Sequence, residues 1–372
     1  MMRHQTYFFQ RTLCLIPLLV SLAFSQTASA SSLVFALFGD VYMTPQHQGY
    51  LKGMLDDMAR KGSELAISTG GIKPADQGCQ DKNLLATYPV FAAAPLPTFY
   101  VPGDADWAIC GQTAGGNFVP EERLNLLRKT FYQSDLSLGE PQLPLVRQAD
   151  YPEHMRWRSG PALFISLNVP GTHSKGTKPA EDAQSLQNRT DAVLSWIKAA
   201  YSEARQQEIS MLVMVMHGDP DLSAPEAAST QPRAPMTDLL RSETEGFPGQ
   251  VLLVHGGNGV HRIDHPLTNQ SNEMPLQNFT RVETYSALQQ GWVQVRIERN
   301  KKSGDDPVHR TEFLFESFPW PLEDSSCVTI IASHLVEHIQ PKFSIPFMDE
   351  CWRILEPFGE LLIATPYPGS RG

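Results

Sequence analysis

Six short apolar runs, most of them breaking off at a glycine, aspartate or histidine, constrain the fold more than any other feature of this chain. They are LVFALF at 33–38, ELAIST at 64–69, PTFYVP at 97–102, ALFISLNV at 162–169, SMLVMVM at 210–216 and QVLLVH at 250–255. Runs this short and this uniformly apolar read as strands buried on both faces. Helical patterns lie between them. HQGYLKGMLDDMARKG at 47–62 stops at a glycine, PEERLNLLRKTFYQS at 120–134 opens with proline and acid, and 189–207 repeats apolar positions at three and four. Alternation of strands and helices predicts a layered α/β fold. TRVETYSALQQGWVQVRIE at 280–298 alternates with period two and predicts a closing hairpin.

The polar residues at the strand ends are the candidate site. LFGD ends in Asp40, ISTGG in Gly71, VPGD in Asp104, VMHGDP carries His217, and LVHGG carries His255. Open α/β sheets build their sites at the carboxyl ends of strands. Asp, Asn and His on several such loops suit a pair of divalent metals that activates water against a phosphoester. Taken singly, each residue has an ordinary structural role: Asp40 and Asp104 in turns, His217 in the core.

Ordered over residues 33–300, these loops resemble the calcineurin-like metallophosphoesterase superfamily, and within it an exported bacterial branch. The blocks between the loops, ERLNLLRKTFYQSDLSLG, MRWRSGPALFISLNVPG and NFTRVETYSALQQGWVQVRIE, look like the same branch. The resemblance implies a layered β-sandwich flanked by helices. It implies Asp40, Asp104 and His217 as metal ligands. It also shows what is missing: Tyr42 stands where a second ligand of the first loop is usual, Gly71 where a metal-bridging aspartate is usual, Ala105 where His or Asn does chemistry, and Gly257 and Gly259 where the last two ligands fall. His255 is an auxiliary candidate that orients its loop. His261 is another, two residues beyond Gly259 and displaced by roughly 6–7 Å along a strand, a gap that a bulge closes. Three side-chain ligands hold one metal if they converge, and without a bridging carboxylate a second adjacent dication lacks its counter-charge. The expectation is one divalent metal at most, with a small phosphoester or phosphate-like ligand. The reading divides between a weakened hydrolase and a catalytically silent binding protein of the same fold.

Charge and targeting limit the partners. A formal charge of −10 argues against a nucleic-acid binder. Arg3 and Arg11, the apolar run TLCLIPLLVSLAF and the small residues Ala28–Ala30 form a secretory signal pattern, with an uncleaved anchor as the alternative. The mature chain is expected to begin near Ser31, to be secreted or periplasmic, and to have no membrane contact after cleavage. In an oxidising compartment Cys79 and Cys110 are a candidate disulfide, and two free thiols are the alternative.

From about residue 319 the text changes. FPWPLEDSSCVTIIASHLVEHIQPKFSIPFMDECWRILEPFGELLIATP resembles the later half of a class I S-adenosylmethionine-dependent methyltransferase and predicts a small C-terminal α/β fragment. The Gly-rich βα loop and the following acidic strand end, which carry most of the cofactor grip in such folds, do not precede it. S-adenosylmethionine binding is therefore not expected, and the segment reads as a truncated or fused partial module, with a methyltransferase-related protein and a docking appendage stabilised by the main domain as the alternatives.

Overall fold

The apolar runs form the parallel strands of two mixed sheets. The computed structural model describes residues 32–41, 48–74, 76–103, 106–169, 183–220, 222, 234–256, 261–271, 274–285, 291–298, 327–333 and 341–364. The signal-like segment, Tyr42, Asp104, Ala105, Gly257 and Gly259 lie outside the described residues. The chain divides into two units, Met1–Val308 and His309–Gly372.

In the first unit, β1 (Ser32–Phe38), β2 (Leu65–Ser68) and β3 (Thr98–Tyr100) run parallel, linked by α1 (Gln48–Arg60) and by α2 (Asp81–Leu84) and α3 (Tyr88–Ala92). After α4 (Pro120–Phe131) come β4 (Val146–Gln148), β5 (Tyr151–Ser159) and β6 (Ala162–Leu167). Then follow α5 (Ala183–Gln206), β7 (Met211–Met216), α6 (Ala234–Glu245), β8 (Gln250–His255), β9 (Arg262–Asp264), β10 (Phe279–Glu283) and β11 (Val293–Glu298). The smaller sheet has the order β11-β1-β2-β3 and the larger β4-β5-β6-β7-β8-β10-β9.

The core sits between the two sheets. Phe35 on β1 meets Phe164 on β6 edge to face at 5.2 Å, and Phe99 on β3 stacks on Trp157 of β5 at 3.8 Å. Aromatic pairs of this kind add about 0.5–1.5 kcal/mol each beyond their burial. The outer face of the larger sheet carries a second core. There Leu212, Met214 and Met216 pack with Ile197, Tyr201 and Leu240 of α5 and α6. MLVMVM is apolar at every position because alternate residues face these two cores. The result is a mixed α/β sandwich of two sheets flanked by helices.

Two expectations meet a different structure. Residues 280–298 do not make a hairpin. β10 pairs in parallel with β8 in the larger sheet, whereas β11 runs antiparallel to β1 at the edge of the smaller one. Period-two alternation marks a half-buried strand but does not encode its partner. The other difference is β5, which is absent from the expected strands. Its sequence YPEHMRWRS is heavily charged, yet Glu153 and His154 are fully buried. Arg128 of α4 binds Glu153 through two hydrogen bonds, at 2.7 and 2.8 Å, and Arg189 of α5 adds a third at 3.3 Å. An interior ion cluster of this kind is invisible to hydropathy.

Cys79 and Cys110 are joined by a disulfide with a Cα–Cα distance of 5.6 Å. It ties the loop after β2 to the turn after β3 across a separation of 31 residues. In the chain-entropy account, replacing both by serine is expected to cost about 3–4 kcal/mol. Chemical denaturation of the oxidised parent and the double variant measures it, and equal midpoints would refute the expectation.

In the second unit, β12 (Cys327–Ser333) and β13 (Leu355–Ala364) pair in parallel, with α7 (Pro341–Ile354) between them in sequence. No helix among the described residues is long and apolar enough to cross a membrane.

Candidate metal and phosphate site

The loops after β1, β2, β3, β7, β8 and β10 are stitched together by backbone and hydroxyl contacts. Asp40 N–H donates to Gly70 O at 2.9 Å. Gly256 N–H donates to His217 O at 2.7 Å, and Thr284 N–H to His255 O at 2.8 Å. The Thr69 and Thr284 hydroxyls, which follow β2 in one sheet and β10 in the other, hydrogen-bond at 3.1 Å. The carboxyl ends of both sheets therefore meet along one edge.

Asp106 is the centre of this stitching, and the sequence pattern did not single it out. Its carboxylate is fully buried. It accepts from Gly71 N–H at 3.1 Å, Ile72 N–H at 2.9 Å, Gly103 N–H at 2.7 Å and the Tyr100 hydroxyl at 2.9 Å. One side chain thus fixes the loop after β2 against the loop after β3. Burial, with the Asp106 charge adding to it, raises the Tyr100 hydroxyl well above its ordinary pKa, so Tyr100 stays a donor. Lys73 is buried beside the same loops and donates to Gln77 O at 2.9 Å. Burial lowers its pKa, and the nearby Asp106 opposes that shift.

Asp40 lies beside Gly71: a Cβ on Gly71 would stand 2.1 Å from Asp40 Oδ1 and 3.0 Å from its Cα. Gly71 has φ +70, a left-handed conformation that favours glycine. His217 abuts the neighbouring loop, where a Cβ on Gly103 would fall 2.7 Å from its ring. The ring's Nδ1 is 2.7 Å from Thr69 O. A carbonyl only accepts, so Nδ1 carries the proton and Nε2 carries the lone pair, the arrangement a metal-ligating histidine takes. Asp106 Oδ2 binds both Gly71 N–H and Gly103 N–H, so the loops beside Asp40 and beside His217 are adjacent. Asp104 lies outside the described residues. His261 has its Nδ1 at 2.7 Å from Glu283 O and stacks on Tyr285 at 4.2 Å; burial lowers its pKa.

His255 belongs to a different grouping. One ligand atom each of Asp219, His255 and Glu283 lies within 4.8 Å of the others, a set compatible with a metal ion. His255 and Glu283 are fully buried. Arg262 contacts Asp219 Oδ2 at 2.6 Å and Glu283 Oε2 at 2.8 Å. Arg281 reaches Asp219 Oδ1 at 3.6 Å and also pairs with Asp264. Asp219 was visible in VMHGDP as a neighbour of His217. Glu283 and the arginines carry no local signal, because only the pairing of β10 with β8 and β9 brings them in.

Burial pushes both His255 and His154 down to about 4 from an ordinary 6.5. Each ring is neutral in the fold while the unfolded chain takes up its proton near pH 6.5. The stability each contributes is complete above that pH and is lost as the pH falls towards 4. Acidification from pH 7 to pH 5 is expected to cost on the order of 1–2 kcal/mol per ring. Thermal melts across this range check it, and His154→Gln should flatten the profile. An unchanged profile in that variant would show that the ring is not protonated on unfolding.

No protein-family model matches the chain, and no curated protein matches it. Solved structures do resemble it. The anchor GAP50 from the inner membrane complex of Plasmodium is 13% identical, with 91% of this chain and 98% of that chain covered and a TM-score of 0.45. A dimetal phosphatase from Danio rerio is 11% identical over 68% of this chain and 88% of its own, with a TM-score of 0.43. PhoD is 12% identical over 73% and 65%, with a TM-score of 0.47. A likeness of this degree carries nothing about what the site does.

Proposed function

We propose that the chain is an exported metallophosphoesterase-like protein that binds a small phosphate-bearing ligand at the Asp40–His217 edge. In this reading it holds at most one divalent metal, through Asp40, Asp104 and His217, and hydrolyses phosphoesters far more slowly than a two-metal centre does. The observation that carries the reading is Gly71: the position that would supply a bridging carboxylate is a left-handed glycine packed against Asp40 Oδ1. The residues present suit a single ion. His217 offers a lone pair on Nε2 with Nδ1 tied to Thr69 O, and Asp40 offers a carboxylate on the adjacent loop. A bound divalent ion would supply Lewis acidity and acidify its water. The chain's own part is to hold these ligands rigidly, through the hydrogen bonds of Asp106 and Thr69.

Metal analysis of the purified protein, joined with aryl phosphate hydrolysis in the presence of zinc, manganese or magnesium, tests this. The expected result is at most one ion at this edge, lost in His217→Gln, with slow metal-dependent turnover. Two tightly bound ions shared among Asp40, Asp104 and His217 would overturn the reading. Phosphate binding without turnover would favour the silent binding protein. A methyltransferase role would rest on β12, α7 and β13 alone, and S-adenosylmethionine binding by calorimetry is its test. Export rests on the signal pattern, and intact mass of secreted protein should place the first residue near Ser31; Met1 retained on exported protein would refute it.

A further inference from the structure

We propose that Asp219, His255 and Glu283 form a separate cation site, suited to a first-row divalent metal such as zinc, for which the guanidinium of Arg262 competes. The site shares no ligand with the Asp40–His217 edge, so it stands or falls independently of the function proposed there.

His255 is the anchor of this site. Its Nδ1 is 3.0 Å from Gly256 O, which fixes the proton on Nδ1 and leaves the lone pair on Nε2. The side chain is fully buried, and Nε2 has no hydrogen-bond partner among the described residues. Asp219 Oδ1 faces that nitrogen at 4.0 Å. Two acceptors therefore confront each other in a low-dielectric interior with no proton between them, a costly arrangement. A cation between them turns both lone pairs into ligands. Metal–nitrogen and metal–oxygen bonds of about 2.0–2.2 Å require only a small closing of the 4.0 Å gap.

Asp219 presents both oxygens to the cluster: Oδ2 is held by Arg262 at 2.6 Å, and Oδ1 faces His255 Nε2 at 4.0 Å with Arg281 at 3.6 Å beside it. Charge points the same way. Asp219, Asp264 and Glu283 face Arg262 and Arg281, so with a neutral imidazole these groups sum to one negative charge. The imidazole nitrogen in this donor set suits zinc better than calcium or magnesium, which prefer oxygen alone. Arg262 is the more exposed of the two arginines and lies across both ligand carboxylates. Its withdrawal would free both carboxylates for an ion, and its return would oppose one.

Cobalt(II) alone is the probe, added to the full chain carrying Asp40→Asn, Asp104→Asn and His217→Gln. A single bound ion with visible d–d bands and one nitrogen ligand by X-ray absorption is expected. Adding His255→Gln should weaken binding by at least about 10–100-fold, the range already lost when only an outer partner of a ligand is removed. Adding Arg262→Gln should tighten it about tenfold, by removing a competing positive charge. Absence of cobalt bands in the parent triple variant overturns the proposal, and so does an affinity unchanged by His255→Gln. If His255→Gln does not fold, Arg262→Gln decides: unchanged or weaker cobalt binding overturns the proposal, tighter binding supports it.

Discussion

Replacing Asp106 with alanine is expected to destabilise the main unit by about 4 kcal/mol or more, among the largest effects any single substitution here should have. The side chain is fully buried and accepts hydrogen bonds from Gly71, Ile72 and Gly103 N–H and from the Tyr100 hydroxyl. Each buried donor left without a partner costs about 1–3 kcal/mol, and bonds to an ionised acceptor lie at the upper end. Lys73 would also lose the nearby negative charge that opposes its desolvation. Asp106→Asn preserves the volume but turns an amide N–H towards backbone donors, so an intermediate loss is expected. Urea denaturation of the parent and both variants measures the effect. A loss under about 1 kcal/mol in Asp106→Ala would show that other contacts hold the loops. The functional consequence is linked to the structural one. The two loops that Asp106 joins flank Asp40 and His217, so Asp106→Asn should weaken metal binding at that edge even where the protein still folds.

The contrast between Asp106 and the apolar runs shows what a sequence of this kind reveals. MLVMVM and QVLLVH are legible as strands because every side chain but the half-buried Gln250 is buried, whichever partner the strand finds. The loops at their ends are legible for the same reason: a run must stop somewhere, and Gly, Asp and His mark where. What is not legible is anything decided by pairing. Asp106 reads as one more turn residue until β2 and β3 lie side by side and their loops share it. Glu283 reads as the exposed member of an alternating strand until β10 pairs with β8 and β9 and Arg262 meets it. The charged strand β5 is hidden by its own polarity, since a buried Glu153 is made tolerable by Arg128 and Arg189, from two different helices, and by Asn168 after β6. Motif resemblance located Asp40, Gly71 and His217. It gave no hint that Gly71 would pack directly against the Asp40 carboxylate.

That contact shapes the expected outcome of rebuilding the centre. Gly71→Asp, Gly257→Asp, Gly259→His and Ala105→Asn together are expected to raise the metal content of the Asp40–His217 edge to two ions. Aryl phosphate hydrolysis should rise about 10²–10³-fold, since the Lewis acidity of a metal centre contributes several kcal/mol to the transition state. The structure adds a condition on the first of these changes. An aspartate at 71 must adopt φ near +70 and begin 2.1 Å from the present position of Asp40 Oδ1. Aspartate tolerates the left-handed region better than most residues, and the flexible end of Asp40 can turn away. Two carboxylates in contact nevertheless repel. With chelator present, Gly71→Asp alone should therefore lose about 1–3 kcal/mol of stability. Added zinc or manganese should recover the loss and raise the melting temperature above that of the metal-free variant, because a ligand bound only to the folded state stabilises it. Calorimetric melts with and without metal read both effects. A Gly71→Asp variant as stable in chelator as the parent would show that the two loops do not pack as described. A fourfold variant that folds and binds two ions yet leaves aryl phosphate intact would mean that the edge lacks the groups to orient a phosphoester. The silent binding protein would then be the better account of the parent chain.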